Sequence, residues 1–140
     1  MSQHVILDTG HLVAYLCAND AHHQWAVSHF STFRKPALIC EAILIEAWFL
    51  VHRRGFPERQ LLGMVQQGIL RVALHLDREI LALSALTDRY DNVPMSLADA
   101  CLVRMAELFP RHRICTLDSD FLIYRKHGRQ SIDPIIPPRH

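Results

Sequence analysis

The sequence predicts an α/β layer fold with a mainly parallel sheet, in one domain over residues 1–140. Three observations carry this. Short apolar runs of strand length alternate with stretches of helical periodicity, the pattern of strand–helix–strand units. A chain of 140 residues that is half hydrophobic, with five Gly and seven Pro, has globular composition. It buries roughly two thirds of the surface its unfolded form exposes, so it needs no disulfide or structural metal to hold a core. No internal repeat, linker or charge block divides it.

The elements follow in order. HVIL at 4–7 reads as a buried strand ending at Asp8, and LVAYLC at 12–17 as a short helix. Asp20 opens a longer helix, with Ala26, Phe30 and Phe33 at helical spacing and Pro36 as its stop. Residues 37–39 are a second strand. The stretch EAILIEAWFLVHRR at 41–54 is apolar nearly all round, which predicts a buried helix, and Gly55 lies where a C-cap belongs. Pro57 starts a helix to about Gln67. ILRVAL at 69–74 is a strand, 77–90 an amphipathic helix, and 96–109 a further helix closed by Pro110. RICTL at 113–117 is a strand running into Asp118, residues 118–126 form a short helix stopped by Gly128, and the Pro-containing tail is irregular.

Net charge is +1, so no strong field of either sign announces a partner. Cys17, Cys40, Cys101 and Cys115 form no CxxC and read as buried apolar side chains. The N-terminus lacks a basic lead-in and no apolar run reaches membrane-spanning length, which places the chain by default in the cytosol.

The acidic residues are more informative. Asp8 and Asp118 end apolar strands, and in open α/β sheets ligands bind outside the carboxyl ends of the strands. Asp99 falls in the first turn of its helix, Asp120 follows Asp118 by two, and Glu46 interrupts an apolar helix with no cation near it. Ordinary roles exist. Ser96 to Asp99 matches a capping box, Asp118 is a candidate N-cap, and Glu41 suits a helix dipole. Together, however, the acids point to one pocket. Two carboxylates about 4 Å apart repel by about 4 kcal/mol at an effective dielectric near 20. Such a cluster needs protons or a cation, and all-oxygen ligation suits Mg²⁺ or Mn²⁺. Metal-assisted phosphodiester hydrolysis is the chemistry that needs it. Carboxylates of such a cluster would hold the metal, and one of them would take the proton of the attacking water.

Setting aside Asp8, Glu46, Asp99, Asp118 and Asp120 leaves nine acids against 15 basic residues, 13 of them Arg. Arg53, Arg54, Arg125, Lys126 and Arg129 are candidates for gripping phosphate. Other motifs fail. Asp8-Thr9-Gly10 matches an aspartic-protease signature, but that fold is almost wholly β. A haloacid-dehalogenase-type phosphatase wants a second Asp where Gly10 stands. No glycine motif cradles phosphate. His22, His23 and His29 read as surface imidazoles, and Trp25 and Trp48 as packing residues.

The stretches VILDTG at 5–10, EAILIEAWFLVHRRG at 41–55, MSLADACLVRMAE at 95–107 and TLDSDFLIYR at 116–125 resemble the PIN-domain ribonucleases, most of all the toxins of VapBC-type toxin–antitoxin pairs. The resemblance implies a three-layer α/β/α sandwich and an Mg²⁺- or Mn²⁺-dependent endoribonuclease. It implies that Asp8, Glu46, Asp99 and Asp118 occupy the acidic metal-site positions, with Asp120 the frequent additional acid. It also implies a homodimer and inhibition by a cognate antitoxin. Gly10 and His11 depart from the family pattern, which has Ser or Asn and then Pro or an apolar residue there. A non-catalytic binding module with the same fold, and a PIN nuclease serving RNA processing, are the alternative readings.

Overall fold

In a computed structural model, which describes residues 2–138, four short strands form one parallel sheet in the order β3-β2-β1-β4. The strands are β1 (Val5–Leu7), β2 (Ala37–Ile39), β3 (Leu70–Val72) and β4 (Arg113–Cys115). Every residue of β1 and β2 is buried. Successive strand residues face opposite sides, so helices must cover both faces of the sheet. This is why these strands read as unbroken apolar runs rather than as alternating ones. Register is tight: Ile6 pairs with Leu38 on one side and with Ile114 on the other.

The helices are α1 (Thr9–Leu16), α2 (His23–Phe30), α3 (Glu41–Arg53), α4 (Gln60–Gln66), α5 (Ile80–Arg89) and α6 (Leu97–Leu108). Crossovers that step outward through β2 and β3 and then return to β4 place helices on both sides, the expected α/β/α sandwich. Among the described residues no helix is long and apolar enough to cross a membrane. All four cysteines are buried and free.

Several expectations give way. Helix α3 is not buried all round. Ile43, Ala47 and Val51 face the core, while Ile45 and Phe49 are 68% and 56% exposed. An apolar residue on the solvent side hides the helix's true periodicity. The helix expected from Asp20 begins at His23, because Asp20 instead caps the preceding turn through the His22 N–H and pairs with Arg54. A 3-10 turn over Leu76–Glu79 precedes α5. The helix expected at 118–126 is only a 3-10 turn, Ser119–Leu122. The Arg125 guanidinium donates to the carbonyls of Leu122, Ile123 and Tyr124 there. The tail is not irregular throughout. Residues β5 (Arg125–Lys126) and β6 (Gln130–Ser131) pair antiparallel around a turn with Gly128 at φ +78°. Ile135 then bridges in parallel to Cys115 at the sheet edge.

Candidate active site

The carboxyl end of the sheet gathers acids from three distant segments. Asp8 follows β1 directly and serves as N-cap of α1. Its Oδ1 accepts the Thr9 N–H at 2.6 Å and its Oδ2 accepts the Thr116 hydroxyl, also at 2.6 Å. Thr116, wholly buried at the end of β4, accepts the Asp118 N–H at 2.9 Å. One hydroxyl thus links Asp8 to the Asp118 loop. The Asp8 carboxyl is pushed up to about 6. Burial is the largest cause. The Thr116 and Thr9 hydrogen bonds pull the other way, and the charges of Asp99 and Asp118 add to the rise.

Asp99 lies in the first turn of α6, where Ser96 and Asp99 form the capping box read from the sequence. The Ser96 Oγ accepts the Asp99 N–H at 3.0 Å, and Asp99 Oδ2 accepts the Ser96 N–H at 3.3 Å. The same Oδ2 accepts the Tyr124 hydroxyl at 3.2 Å. Burial raises the Asp99 carboxyl above its ordinary range, and Asp118 adds to it. Asp118 caps the 3-10 turn, its Oδ1 accepting the Asp120 N–H at 2.8 Å. Capping and site-building are therefore compatible here. Each cap occupies one oxygen, and among the described residues Asp99 Oδ1 and Asp118 Oδ2 accept no hydrogen bond.

Among the described residues no Lys, Arg or His pairs with Asp8, Asp99, Asp118 or Asp120. Only hydrogen bonds, from Thr9, Ser96, Thr116, Asp120 and Tyr124, offset the repulsion between Asp8, Asp99 and Asp118, with no positive side chain among the described residues paired to them. Its all-carboxylate donor set is the kind hard divalent cations take. Among the described residues no three acidic, His or Cys side chains close around a point as a finished metal cage does. Mg²⁺ keeps several waters and uses only one or two carboxylates, so an open set of this kind fits a hydrated ion.

The side chains of the other expected residues make no hydrogen bond to this core among the described residues. Asp120 is half-buried on the turn beside Asp118. Glu46 is exposed on α3 and makes no hydrogen bond or ion pair among the described residues. Arg53 is exposed in the last turn of α3, open to a ligand. Arg54 is held by Asp20, and Arg125 is turned onto its own loop.

Two site residues escaped the sequence reading, Thr116 and Tyr124. The cue for Thr116 was a hydroxyl at a strand end two residues before Asp118. Tyr124 offers none, because its contact depends on how the 119–122 turn folds back on α6. His11, one of the two departures noted above, proves fully buried three residues after Asp8. Its ring lies 5.6 Å from Trp25, 5.5 Å from Phe33 and 6.3 Å from Phe30, and neither nitrogen has a partner. An imidazole fills a slot built for an apolar side chain.

No family model and no curated protein sequence matches the chain. The structural comparison is positive. The fold is similar to the crystal structure of Mycobacterium tuberculosis VapC20, a sarcin–ricin loop cleaving toxin, with a TM-score of 0.73 and 23% identity over 83% of this chain and 91% of that one. That likeness establishes the fold, and it is the fold implied by the PIN-domain resemblance.

Proposed function

We propose that this chain is a metal-dependent endoribonuclease acting as the cytoplasmic toxin of a type II toxin–antitoxin pair. The observation that carries the reading is the unpaired carboxyl cluster of Asp8, Asp99 and Asp118. An acid held near pKa 6 by burial and two neighbouring acids is an unfavourable arrangement unless a cation relieves it. A fold shared with an RNA-cleaving toxin supports the same conclusion.

Asp8, Asp99 and Asp118 would hold Mg²⁺ or Mn²⁺, with Asp120 at the margin. The bound ion supplies water activation and neutralises charge developing on the phosphate. Thr116 holds Asp8 in one rotamer and favours its ionised form, since a hydrogen bond to a carboxylate stabilises the charge. Tyr124 does the same for one oxygen of Asp99. Glu46, exposed on α3, is proposed to reach a water or a second ion once RNA is bound. Arg53 is proposed to contact backbone phosphate. The exposed Ile45 and Phe49 of α3 and Leu62 of α4 support a protein partner, which we assign to the antitoxin and to a second copy.

The capping roles of Asp99 and Asp118 favour a second reading, a non-catalytic module whose acids are structural. Thermal unfolding in a titration of Mg²⁺ and Mn²⁺ separates the two. A site that binds the ion in the native state gains about 2.7 kcal/mol at 100 times the dissociation constant, and Asp8→Asn and Asp99→Asn lose that gain. Equal melting curves with and without ion, in the parent, would favour the module.

A further inference from the structure

The loop between α1 and α2 and the end of α3 border an open cavity of about 600 Å³, lined by Asn19, Asp20, His22, Arg54 and Leu117. That volume is within the range of ligand clefts, about 300–1,000 Å³. Leu117 stands between Thr116 and Asp118, so one wall of the cavity is the loop that carries part of the acid cluster. It lies over Gly10, where a β-carbon would meet the Leu117 side chain at 3.4 Å. The polar walls are held by hydrogen bonds. The Asp20 N–H donates to the Cys17 carbonyl at 2.9 Å and the His23 N–H to the Asp20 carbonyl at 3.0 Å. Asp20 Oδ1 accepts the His22 N–H at 2.8 Å, and Asp20 Oδ2 accepts Arg54 Nη1. The ion pair is lopsided, with the Asp20 side chain 11% exposed and that of Arg54 44%. Its anion therefore sits behind and its cation in front, on a fork of five N–H donors. The Asn19 amide and the His22 ring are exposed and make no hydrogen bond among the described residues.

We propose that this cavity is a subsite for a phosphate of the RNA strand next to the one that is cut. Arg54 grips that phosphate, Asn19 adds a donor, and Asp20 is a positioning residue that aims the guanidinium. The assignment rests on the nuclease reading above. A strand whose scissile phosphate lies at the acids, and which runs past the Leu117 wall, meets Arg54 next. Planar guanidinium and phosphate match in a bidentate contact, and amide side chains commonly share such phosphates. A long cationic side chain loses rotamer freedom when it binds, and one already held by Asp20 loses less. Asp20 thus acts in two opposed ways. Its charge repels RNA, while its hydrogen bond fixes the residue that attracts RNA. Which effect is larger decides the sign of Asp20→Asn.

The test is binding of labelled single-stranded RNA oligomers to the full chain in chelator, over a series of salt concentrations. Arg54→Gln should weaken binding about fivefold, equally for oligouridylate and oligoadenylate. It should also lower the slope of log affinity against log salt by about 0.7, the value for one phosphate on a single strand. Arg54→Lys should keep the slope and recover part of the affinity. Asp20→Asn should weaken binding although it removes a negative charge. An unchanged slope in Arg54→Gln, or tighter binding by Asp20→Asn, would overturn the proposal. So would a loss confined to guanine-containing RNA, because Arg54 would then be reading a base edge. Arg54→Gln also breaks the ion pair, so the intact parent supplies a second measurement. Its Asn19 side-chain amide and Arg54 Nε–H signals should shift in NMR spectra as oligomer is added, and unmoved signals would overturn the subsite. A parent that binds RNA through Arg54 but cuts nothing with Mn²⁺ would count against the nuclease and leave the subsite standing. A parent that cuts, beside an Arg54→Gln variant that binds as the parent does, would remove the subsite alone.

Discussion

Thr116 and Asp8, 108 residues apart in sequence, are joined by a 2.6 Å hydrogen bond in which the threonine hydroxyl donates to the carboxylate. The same oxygen accepts the Asp118 N–H, so β1, β4 and the loop after β4 are locked together at the acid cluster. This buried hydroxyl helps to hold Asp8 in place and, against the larger effect of burial, favours its ionised form.

Replacing Thr116 by Val removes a hydrogen bond to a charged group, worth about 1.5–3 kcal/mol, and strands the Asp118 N–H. The Asp8 carboxyl then rises further above 6, because the lost bond is stronger to its ionised form. The rate–pH profile of RNA cleavage should move to higher pH, with Thr116→Ser restoring it. Profiles of Thr116→Val and parent that superimpose would remove Thr116 from this role.

Asp8 itself links pH to stability. Its folded value, about 6, lies above the ordinary 3.8. The stability tied to it is fully present below about pH 3.8 and is lost as pH rises through 6, a change of roughly 3 kcal/mol. In chelator at pH 7, Asp8→Asn should therefore unfold at a temperature equal to or a few degrees above the parent's. Calorimetry checks it, and a variant destabilised by several kcal/mol would show that the charge is not strained.

His11 has the opposite sign. Burial among aromatic rings lowers it to about 4 from 6.5, with His29 adding to the shift. Its contribution is present above pH 6.5 and is lost as pH falls from 6.5 to 4, again roughly 3 kcal/mol. Two unpartnered buried nitrogens cost a further 1–3 kcal/mol or so at any pH. His11→Leu should be more stable than the parent at pH 7, with the gap widening toward pH 5 in denaturant titrations. A gap that narrows on acidification would mean the ring finds a partner in solution.

Much of this site was visible in residue order alone. Strands buried on both faces, such as Val5–Leu7 and Ala37–Ile39, are unbroken apolar runs, so the acids ending or following them stand out. Asp99 was visible as a cap, and the structure has the capping box; its carboxyl also stands near enough to Asp8 and Asp118 for their charges to act on one another. The solvent face of α3 was not legible, because Ile45 and Phe49 break the polar pattern that marks an exposed side. Nor was the tail, where a single bridge at Ile135 adds to the sheet without a run of strand-like residues. Tyr124 and the aromatic cage of His11 depend on contacts between elements, and no local pattern encodes those.

Cleavage of a structured RNA by the purified chain, with Mn²⁺ or Mg²⁺ supplied and then chelated, tests the acid cluster most directly when parent and Asp8→Asn are run side by side. The parent should cut only with the ion, and Asp8→Asn should be at least about a hundredfold slower while keeping its fold. Parent and variant cutting at one rate, or cutting that survives chelation, would contradict the account.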